Sequence, residues 1–267
     1  AATAESWGGK VYLFGGYTVA EDGTERSVPN VDVFDPATDT WSSATPMPLP
    51  VDDAVSGVWR DSLIALVSGW HDTDNVPDVQ FYDPGADSWS SSTPIPGPPV
   101  FGHAGKLVGD ELVYIGGANT RGRRPRFLIE SSSWQGTVRA GVSTTVEWAP
   151  LPPHPGPLRY RAASASLGNW VVFAGGTDNP YNYNGIGYDG VPAVPSPSVF
   201  AFHGPTGQWV EGPALPEARM DHRALAVAGN SVVLVGGMDG GLYVTPSVWV
   251  APADRMTALL DGALTRP

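Results

Sequence analysis

The sequence has 267 residues and a formal net charge of −12, and it contains no cysteine. The negative charge argues against general binding to nucleic acid or to anionic membranes, because both need a basic surface. The lack of cysteine excludes disulfides, thiolate metal sites and a cysteine nucleophile. No apolar run is long enough to predict a membrane span. The composition fits a secreted or a cytoplasmic protein equally well, so the location stays unknown.

A short apolar segment followed by two glycines recurs every 48–61 residues along the chain. In chain order the pairs are Gly15-Gly16, Ser68-Gly69 (with serine in the first place), Gly116-Gly117, Gly175-Gly176 and Gly236-Gly237. The 33 glycines and 27 prolines follow this repeat, which favours many short strands and tight turns over disorder. A repeat of this length predicts a stacked or closed array of one supersecondary unit.

Each unit contains the same predicted elements in the same order. A strand of small residues comes first, and a hairpin turn leads to a continuous apolar strand that ends at the glycine pair. A loop then leads to a third strand, an Asp-Pro turn and a tryptophan that starts the outer strand. An aromatic residue precedes this tryptophan by seven positions in three units, as Phe34–Trp41, Tyr82–Trp89 and Phe202–Trp209. The third and fifth units lack the full turn motif.

The ends of the chain fit the same scheme. Residues 1–6 align with the first strands of the other units, and residues 256–264 are predicted to form the outer strand of the last unit. The predicted units form one domain and cover approximately residues 1–48, 49–97, 98–152, 153–215 and 216–267. Two arrangements stay open: a complete ring of five units, or a segment of a longer array. We expect a monomer.

The combination of glycine pair, Asp-Pro turn and tryptophan resembles the kelch repeat over essentially the whole chain. The segment containing Pro216, Arg219 and His222 matches the family's entry to the inner strand. The resemblance implies an all-β, kelch-type β-propeller with five four-stranded blades around a central channel. Six or seven blades are commoner in the family. It includes sialic acid mutarotases and the propeller domain of galactose oxidase, whose tyrosine–cysteine crosslink this cysteine-free chain cannot form.

The first residues of the inner strands should surround the mouth of the channel, on the face that carries the loops after the glycine pairs. Counting back from the glycine pairs places there Ala1, either Asp53 or Ala54, His103, Arg161 and His222. His222, His103 and Asp53 are candidate catalytic residues, because histidine and carboxylate side chains carry protons near neutral pH. The alternative is that these residues only cap strands and bind water.

Basic and aromatic residues also concentrate in the loops assigned to this face. Seven of the 15 basic residues lie between positions 121 and 161, which suggests an anionic ligand because arginine binds carboxylate and phosphate in a bidentate manner. The long loop at residues 177–197 alternates tyrosine with asparagine, which suits a sugar or a flat organic ligand. The candidate ligand-binding residues are Arg161, Arg219, Arg159, Arg124, Arg126, Tyr181, Tyr183, Trp70 and His71. The alternatives are that the arginines lie on solvated loops and pair with local acidic residues, and that the tyrosines of the long loop pack on their own blade.

Three functions are compatible with these features. The first is a binding module that recognises a glycan, an anionic small molecule or a protein through the loop face and the channel mouth. The second is a cofactor-independent enzyme, such as an isomerase, mutarotase or cyclase, that uses acid–base chemistry on a small anionic or sugar-like substrate. The third is a structural propeller within a larger assembly. No residue spacing is diagnostic of a metal site, and no cofactor is predicted.

Overall fold

The computed structural model describes residues 1–265 as five antiparallel sheets arranged as blades around a central channel. This arrangement confirms the predicted all-β, kelch-type β-propeller. The sheets follow one another in chain order, and their inner strands are neighbours around the channel from blade 1 to blade 5. No helix of the described residues is long and apolar enough to cross a membrane.

Each of the first four blades is a four-stranded sheet whose strands are ordered in sequence from the channel outwards. Blade 1 contains Thr3–Trp7, Lys10–Phe14, Val31–Asp35 and Thr40–Ser43. Blade 2 contains Val55–Trp59, Leu63–Val67, Val79–Asp83 and Ser88–Ser91. Blade 3 contains Ala104–Val108, Glu111–Ile115, Ser133–Arg139 and Thr145–Leu151. Blade 4 contains Ala163–Leu167, Trp170–Ala174, Val199–His203 and Gln208–Glu211.

Blade 5 has three strands, Ala226–Ala228, Ser231–Val235 and Val248–Pro252, followed by the helix Ala253–Leu264. The prediction of an outer strand at residues 256–264 is therefore wrong, and residues 266 and 267 of the predicted return to Ala1 lie outside the described residues. The segment has a helical rather than a strand period, because its residues packed against blade 4 recur every three or four positions. These residues are Ala253, Met256, Leu260 and Ala263.

Three of the loops that follow glycine pairs form additional two-stranded hairpins on one face of the propeller, which we call the loop face. The hairpins pair Tyr17–Val19 with Glu25–Ser27, Trp70–His71 with Asp74–Asn75, and Ala118–Thr120 with Phe127–Ile129. The corresponding loop of blade 4, residues 177–198, contains isolated bridges only. The hairpins build walls around the channel mouth.

The glycine pairs have a steric role that explains their recurrence. Gly116 has a φ of 61°, and a Cβ atom added to it would lie 2.0 Å from the carbonyl oxygen of Arg159 in the link to the next blade. Gly15 and Gly175 make equivalent approaches to Val51 and Arg219. Where serine replaces the first glycine, Ser68 keeps a φ of 54° and its Oγ lies 2.9 Å from the carbonyl oxygen of Val100. The pairs of blades 1–4 therefore let one blade touch the backbone of the next.

Apolar side chains fill the four interfaces between consecutive blades. Tyr12 and Phe14 of blade 1, for example, pack with Ile64, Leu66 and Tyr82 of blade 2. Separate clusters join blades 2 and 3, blades 3 and 4, and blades 4 and 5. The aromatic side chains of the outer strands close these interfaces from outside, as shown by the ring of Trp89, whose centroid lies 5.9 Å from that of Phe14.

The apolar packing between blades does not continue from blade 5 to blade 1. The residue just before each glycine pair is at most 2% exposed in blades 1–4, but Val235 in blade 5 is 63% exposed. The residue four places before each pair is at most 4% exposed in blades 2–5, but Val11 in blade 1 is 37% exposed. The two faces that a complete five-bladed ring would bury against each other are therefore open to solvent.

We expect Gly116→Ala to destabilise the protein much more than Gly109→Ala. Both glycines have φ near 60°, but nothing lies within 4 Å of a Cβ on Gly109. Gly109→Ala should cost about 1 kcal/mol for the left-handed backbone alone. Gly116→Ala should cost about 3 kcal/mol, because the added methyl group must also displace the backbone at Arg159. Urea unfolding of both variants measures the difference, and equal losses would contradict the proposed steric role.

Candidate functional site

The channel mouth is built by one equivalent backbone position in each link between blades. Asp53, Gly102, Arg161 and Asp221 all occupy the left-handed region, with φ values of 52°, 62°, 50° and 66°. Backbone N–H groups at or next to these positions donate to the preceding link: Asp53 to Ala1, Gly102 to Asp53, Arg161 to Gly102 and His222 to Arg161. This hydrogen-bonded arc brings side chains from different blades to one place.

A network of buried and partly buried charges lies at the mouth. Arg161 Nη2 donates to Asp53 Oδ2 at 2.8 Å, and its Nη1 donates to Asp221 Oδ1 at 3.2 Å. Arg223 also forms salt bridges with Asp53 and Asp221. The network thus joins blades 2, 4 and 5 across the channel. The side chains of Asp53 and Arg161 are 2% and 7% exposed, whereas those of Asp221 and Arg223 are partly open to solvent.

Two adjacent carboxyl groups in this network have opposite protonation tendencies. Burial alone would raise the pKa of Asp53, but the charges of Arg161 and Arg223 hold it at about 2. Burial and the charge of Asp53 raise the pKa of the neighbouring Asp52 to about 7. Asp52 Oδ2 accepts a hydrogen bond of 2.9 Å from Ser27 Oγ. Near neutral pH one carboxyl group is therefore ionised and its neighbour is close to half protonated.

Two tyrosines stand beside this network. Tyr17 comes from the hairpin of blade 1 and Tyr188 from the long loop of blade 4, and both are 37% exposed. Burial raises the pKa of Tyr188 to about 12, and the charges of Arg161, Glu25 and Asp53 are near enough to act on it. Burial, followed by the charge of Glu25, also raises the pKa of Tyr17, and the charges of Arg161 and Asp53 are near enough to act on it. The open side of the mouth thus combines aromatic walls with charged groups.

The two predicted histidines lie deeper than the open part of the mouth. His103 Nε2 lies 3.0 Å from the carbonyl oxygen of Val67, and the ring packs beside Gly117. His222 is buried against Gly237. Burial lowers the pKa of each histidine to about 4, so both are neutral near pH 7. Among residues 1–265 no group of three or more histidine and acidic side chains is arranged to hold a metal ion.

The predicted arginines separate into two groups. Arg159 and Arg219 are buried away from the mouth, where their guanidinium groups stack on Phe200 at 5.7 Å and on Trp249 at 4.8 Å. Arg161 belongs to the charged network. Arg124 and Arg126 are exposed on the hairpin of blade 3. The cluster expected from the sequence is therefore not a single basic surface.

The predicted aromatic and histidine residues on the loop face also lie in separate places. Trp70 packs against Phe101 and Phe127 with ring centroids 5.6 Å apart, and Arg126 covers it at 5.2 Å. The ring of His71 binds the carbonyl oxygen of Pro50 through Nδ1 at 2.7 Å.

The two tyrosines predicted from the long loop differ in burial. Tyr181 is fully buried, and its backbone carbonyl accepts a hydrogen bond from Tyr160 at 2.8 Å. Tyr183 is 74% exposed. Tyr181 therefore anchors the long loop, whereas Tyr183 is open to solvent.

A second charged pair, which the sequence did not predict, lies inside the channel. Glu5 of blade 1 and Lys106 of blade 3 form a salt bridge across the channel. The pair lines a cavity of about 600 Å³ that extends towards the face opposite the loops. Asp52 and Tyr17 were also not singled out. The paired carboxyl residues at positions 52 and 53 were the only available sequence signal.

Comparison with known proteins agrees with the repeat and the fold. The family model described as "Kelch motif" matches residues 1–48. The chain is 25% identical over 253 residues to Kelch-like protein terF of Aspergillus terreus, which covers 90% of this chain and 50% of that protein. It is 29% identical over 159 residues to an F-box/kelch-repeat protein of Arabidopsis thaliana, covering 56% of this chain and 30% of that one. The chain thus spans half or less of these relatives.

A solved structure has the same fold at lower sequence identity. The structure of YjhT superimposes with a TM-score of 0.74 and 18% identity, and the match covers 94% of this chain and 83% of YjhT. At this level of identity the likeness concerns the fold alone.

The Asp52 carboxyl group gives a test of the charged network by pH. Its folded pKa of about 7 lies above its unfolded value of 3.8, so its contribution to stability is present below pH 3.8 and is lost as the pH rises through 7. The stability of Asp52→Asn relative to the wild type should therefore increase as the pH rises from 4 to 8, by roughly 2–4 kcal/mol in total. Urea unfolding at several pH values measures this difference.

The informative quantity is the difference in the free energy of unfolding between Asp52→Asn and the wild type. His103 and His222 have folded pKa values of about 4, below 6.5, so their contributions fall as the pH drops from 6.5 to 4 in both proteins and cancel. A difference that does not change with pH would contradict the raised pKa of Asp52.

The recurring glycine pairs, the four-stranded blades around a channel, the matched motif and the related proteins all agree on one family. The chain is a kelch-repeat β-propeller.

Proposed function

We propose that the channel mouth binds a small sugar-like ligand. The observation that carries this proposal is the convergence of Tyr17, Tyr188, Asp221 and Arg223 from three different blades around one charged network. Ligand sites commonly combine aromatic or apolar walls with a few polar groups that fix orientation. Carboxylate oxygens accept hydrogen bonds from hydroxyl groups and guanidinium N–H groups donate to them, so this set fits a polyhydroxylated molecule.

The charges at the mouth favour a neutral sugar over an anionic one. Arg161 and Arg223 each contact both Asp53 and Asp221, so their positive charges are already compensated within the protein. An additional anion would compete with these carboxylates for the same N–H groups. A neutral ligand can hydrogen-bond to the exposed sides of Asp221 and Arg223 without breaking the network.

The backbone supports a role beyond stability. Asp53, Arg161 and Asp221 are non-glycine residues with positive φ. Such conformations cost free energy and concentrate at functional sites, where surrounding structure holds them in place. The salt bridges among these three side chains provide that support and fix the geometry of the mouth before a ligand arrives.

We expect Tyr188→Ala to weaken sugar binding about tenfold, the effect of losing one well-packed aromatic contact. Tyr243→Ala is the matched control, because Tyr243 is a 73% exposed tyrosine on the corresponding loop of blade 5. Calorimetric titration with neutral sugars and with sugar acids measures both the affinity and the preference. Equal losses in the two variants would argue against the mouth. Absence of binding to any sugar would favour a protein partner on the loop face.

A second candidate function is acid–base catalysis on a sugar at the same place. It is favoured by the split between Asp52, with a pKa of about 7, and Asp53, with a pKa of about 2. Adjacent carboxyl groups whose environments separate their pKa values often divide the roles of proton carrier and fixed charge. In this scheme Asp52 exchanges a proton with the ligand through Ser27, and Asp53 holds Arg161.

If the site is catalytic, Asp52→Asn should slow the interconversion of sugar anomers by about a hundredfold or more, the usual contribution of a positioned proton carrier. Asp72→Asn is the matched control, because Asp72 accepts a hydrogen bond from the backbone N–H of Ser27 but is exposed. Magnetisation-exchange NMR measures the rate. Unchanged rates in Asp52→Asn, with binding intact, would leave only the binding function.

A further inference from the structure

We propose that the open faces of blades 5 and 1 form a docking site for one additional four-stranded β-blade. The blade-5 free face consists of Val233, Val235, Val248 and Val250. The blade-1 free face consists of Val11, Leu13, Phe34 and Trp41. These two sets are the sides of blades 5 and 1 that point away from the four packed interfaces. The proposal concerns a different surface from the channel mouth.

Comparison within the repeat shows that these faces have the composition of buried interfaces. The position of Val235 is occupied by Phe14, Val67, Ile115 and Ala174 in the other blades, and all four are at most 2% exposed. Val248 and Val250 on the neighbouring strand are 54% and 62% exposed. Trp41, at the outer-strand position, is 60% exposed, whereas the corresponding Trp89 and Trp209 are partly buried. Contiguous apolar surface of this kind marks a site of interaction.

The pattern of the existing interfaces defines the occupant. In each of them, the face that carries the residue just before the glycine pair packs against the face of the next blade that carries the residue four places before its pair. The blade-5 free face carries the residue just before the glycine pair, so its partner must present the opposite face, with the residue four places before a pair. The blade-1 free face requires the reverse. One sheet with apolar side chains on both faces satisfies both requirements at once.

Two further observations agree with a single blade. The arc of backbone hydrogen bonds from Ala1 to His222 runs through all five blades and ends at blade 5, where another link could extend it. The channel cavity of about 600 Å³ is lined by Val11 of blade 1 and Val227 of blade 5, so an additional inner strand would complete its wall.

The test uses the full chain and two blade probes, which are polypeptides with the sequences of residues 49–97 and 153–215. If the docking site exists, at least one probe should form a complex of one chain to one probe, detected by native mass spectrometry, and should raise the melting temperature of the chain. The fluorescence of a dye that binds apolar surface should decrease at the same time. Lack of a complex with both probes would overturn the proposal.

Variants locate the complex on the molecule. Val235→Glu and Val11→Glu should each weaken probe binding at least tenfold, because the carboxylate would be buried in an apolar interface. Val142→Glu is the control, because Val142 is fully exposed at the tip between two strands of blade 3. Two separate positions guard against one variant failing to fold, which far-ultraviolet circular dichroism reports.

The oligomeric state of the chain alone distinguishes a different occupant. If the chain without probe were a dimer that Val235→Glu converts to a monomer, a second copy would be the occupant and the proposal of a single blade would be wrong. A monomer that binds the probe supports it. Sugar titration of the same variants should give unchanged affinities, since neither valine lies at the channel mouth.

Discussion

The contact between the glycine pairs of blades 1–4 and the backbone of the following link is the constraint on which the rest of the structure depends. A side chain at Gly116 would occupy the space of the Arg159 carbonyl group, so the blades can approach only where the repeat supplies glycine or, at Ser68, a hydroxyl that hydrogen-bonds instead. This approach fixes the start of the inner strands of blades 2–5. The residues at the channel mouth are therefore positioned by the backbone, before any side chain contributes to the site.

The charged network at the mouth follows from that placement. Burying an isolated ion is costly, and breaking a buried pair leaves an uncompensated charge. Here Arg161 has two carboxylate partners, and Asp53 has two guanidinium partners. The pairing explains both the low pKa of Asp53 and, through its fixed negative charge, part of the raised pKa of Asp52. The arginines thus organise the mouth, while the tyrosines and the exposed sides of Asp221 and Arg223 remain accessible to a ligand.

The propeller presents two kinds of surface with different chemistry. The mouth is polar, is built from several loops and is shaped by internal salt bridges. The free faces of blades 5 and 1 are apolar and repeat the composition of interior interfaces. Hydrophobic burial is non-directional and scales with area, so these faces suit a broad protein contact, whereas the mouth suits a small ligand with defined hydrogen bonds. The channel cavity lies between the two, because it is lined by residues of every blade and by Val11 at the open edge.

The sequence alone determined the repeat, the blades and most strand positions, because glycine pairs, Asp-Pro turns and alternating apolar residues act locally. Asp83, for example, accepts hydrogen bonds from Gly85 and Ala86 as its turn motif predicts. It also identified Asp53 and Arg161 by counting from the glycine pairs. It misassigned residues 256–264, although their three- and four-residue spacing was a readable helical signal. Only the tertiary structure showed that Arg159 and Arg219 stack inside the blades, that Glu5 reaches Lys106, and that Val235 and Val11 are exposed. Each of these facts depends on contacts, or missing contacts, between residues that lie far apart in the chain and carry no local signal of one another.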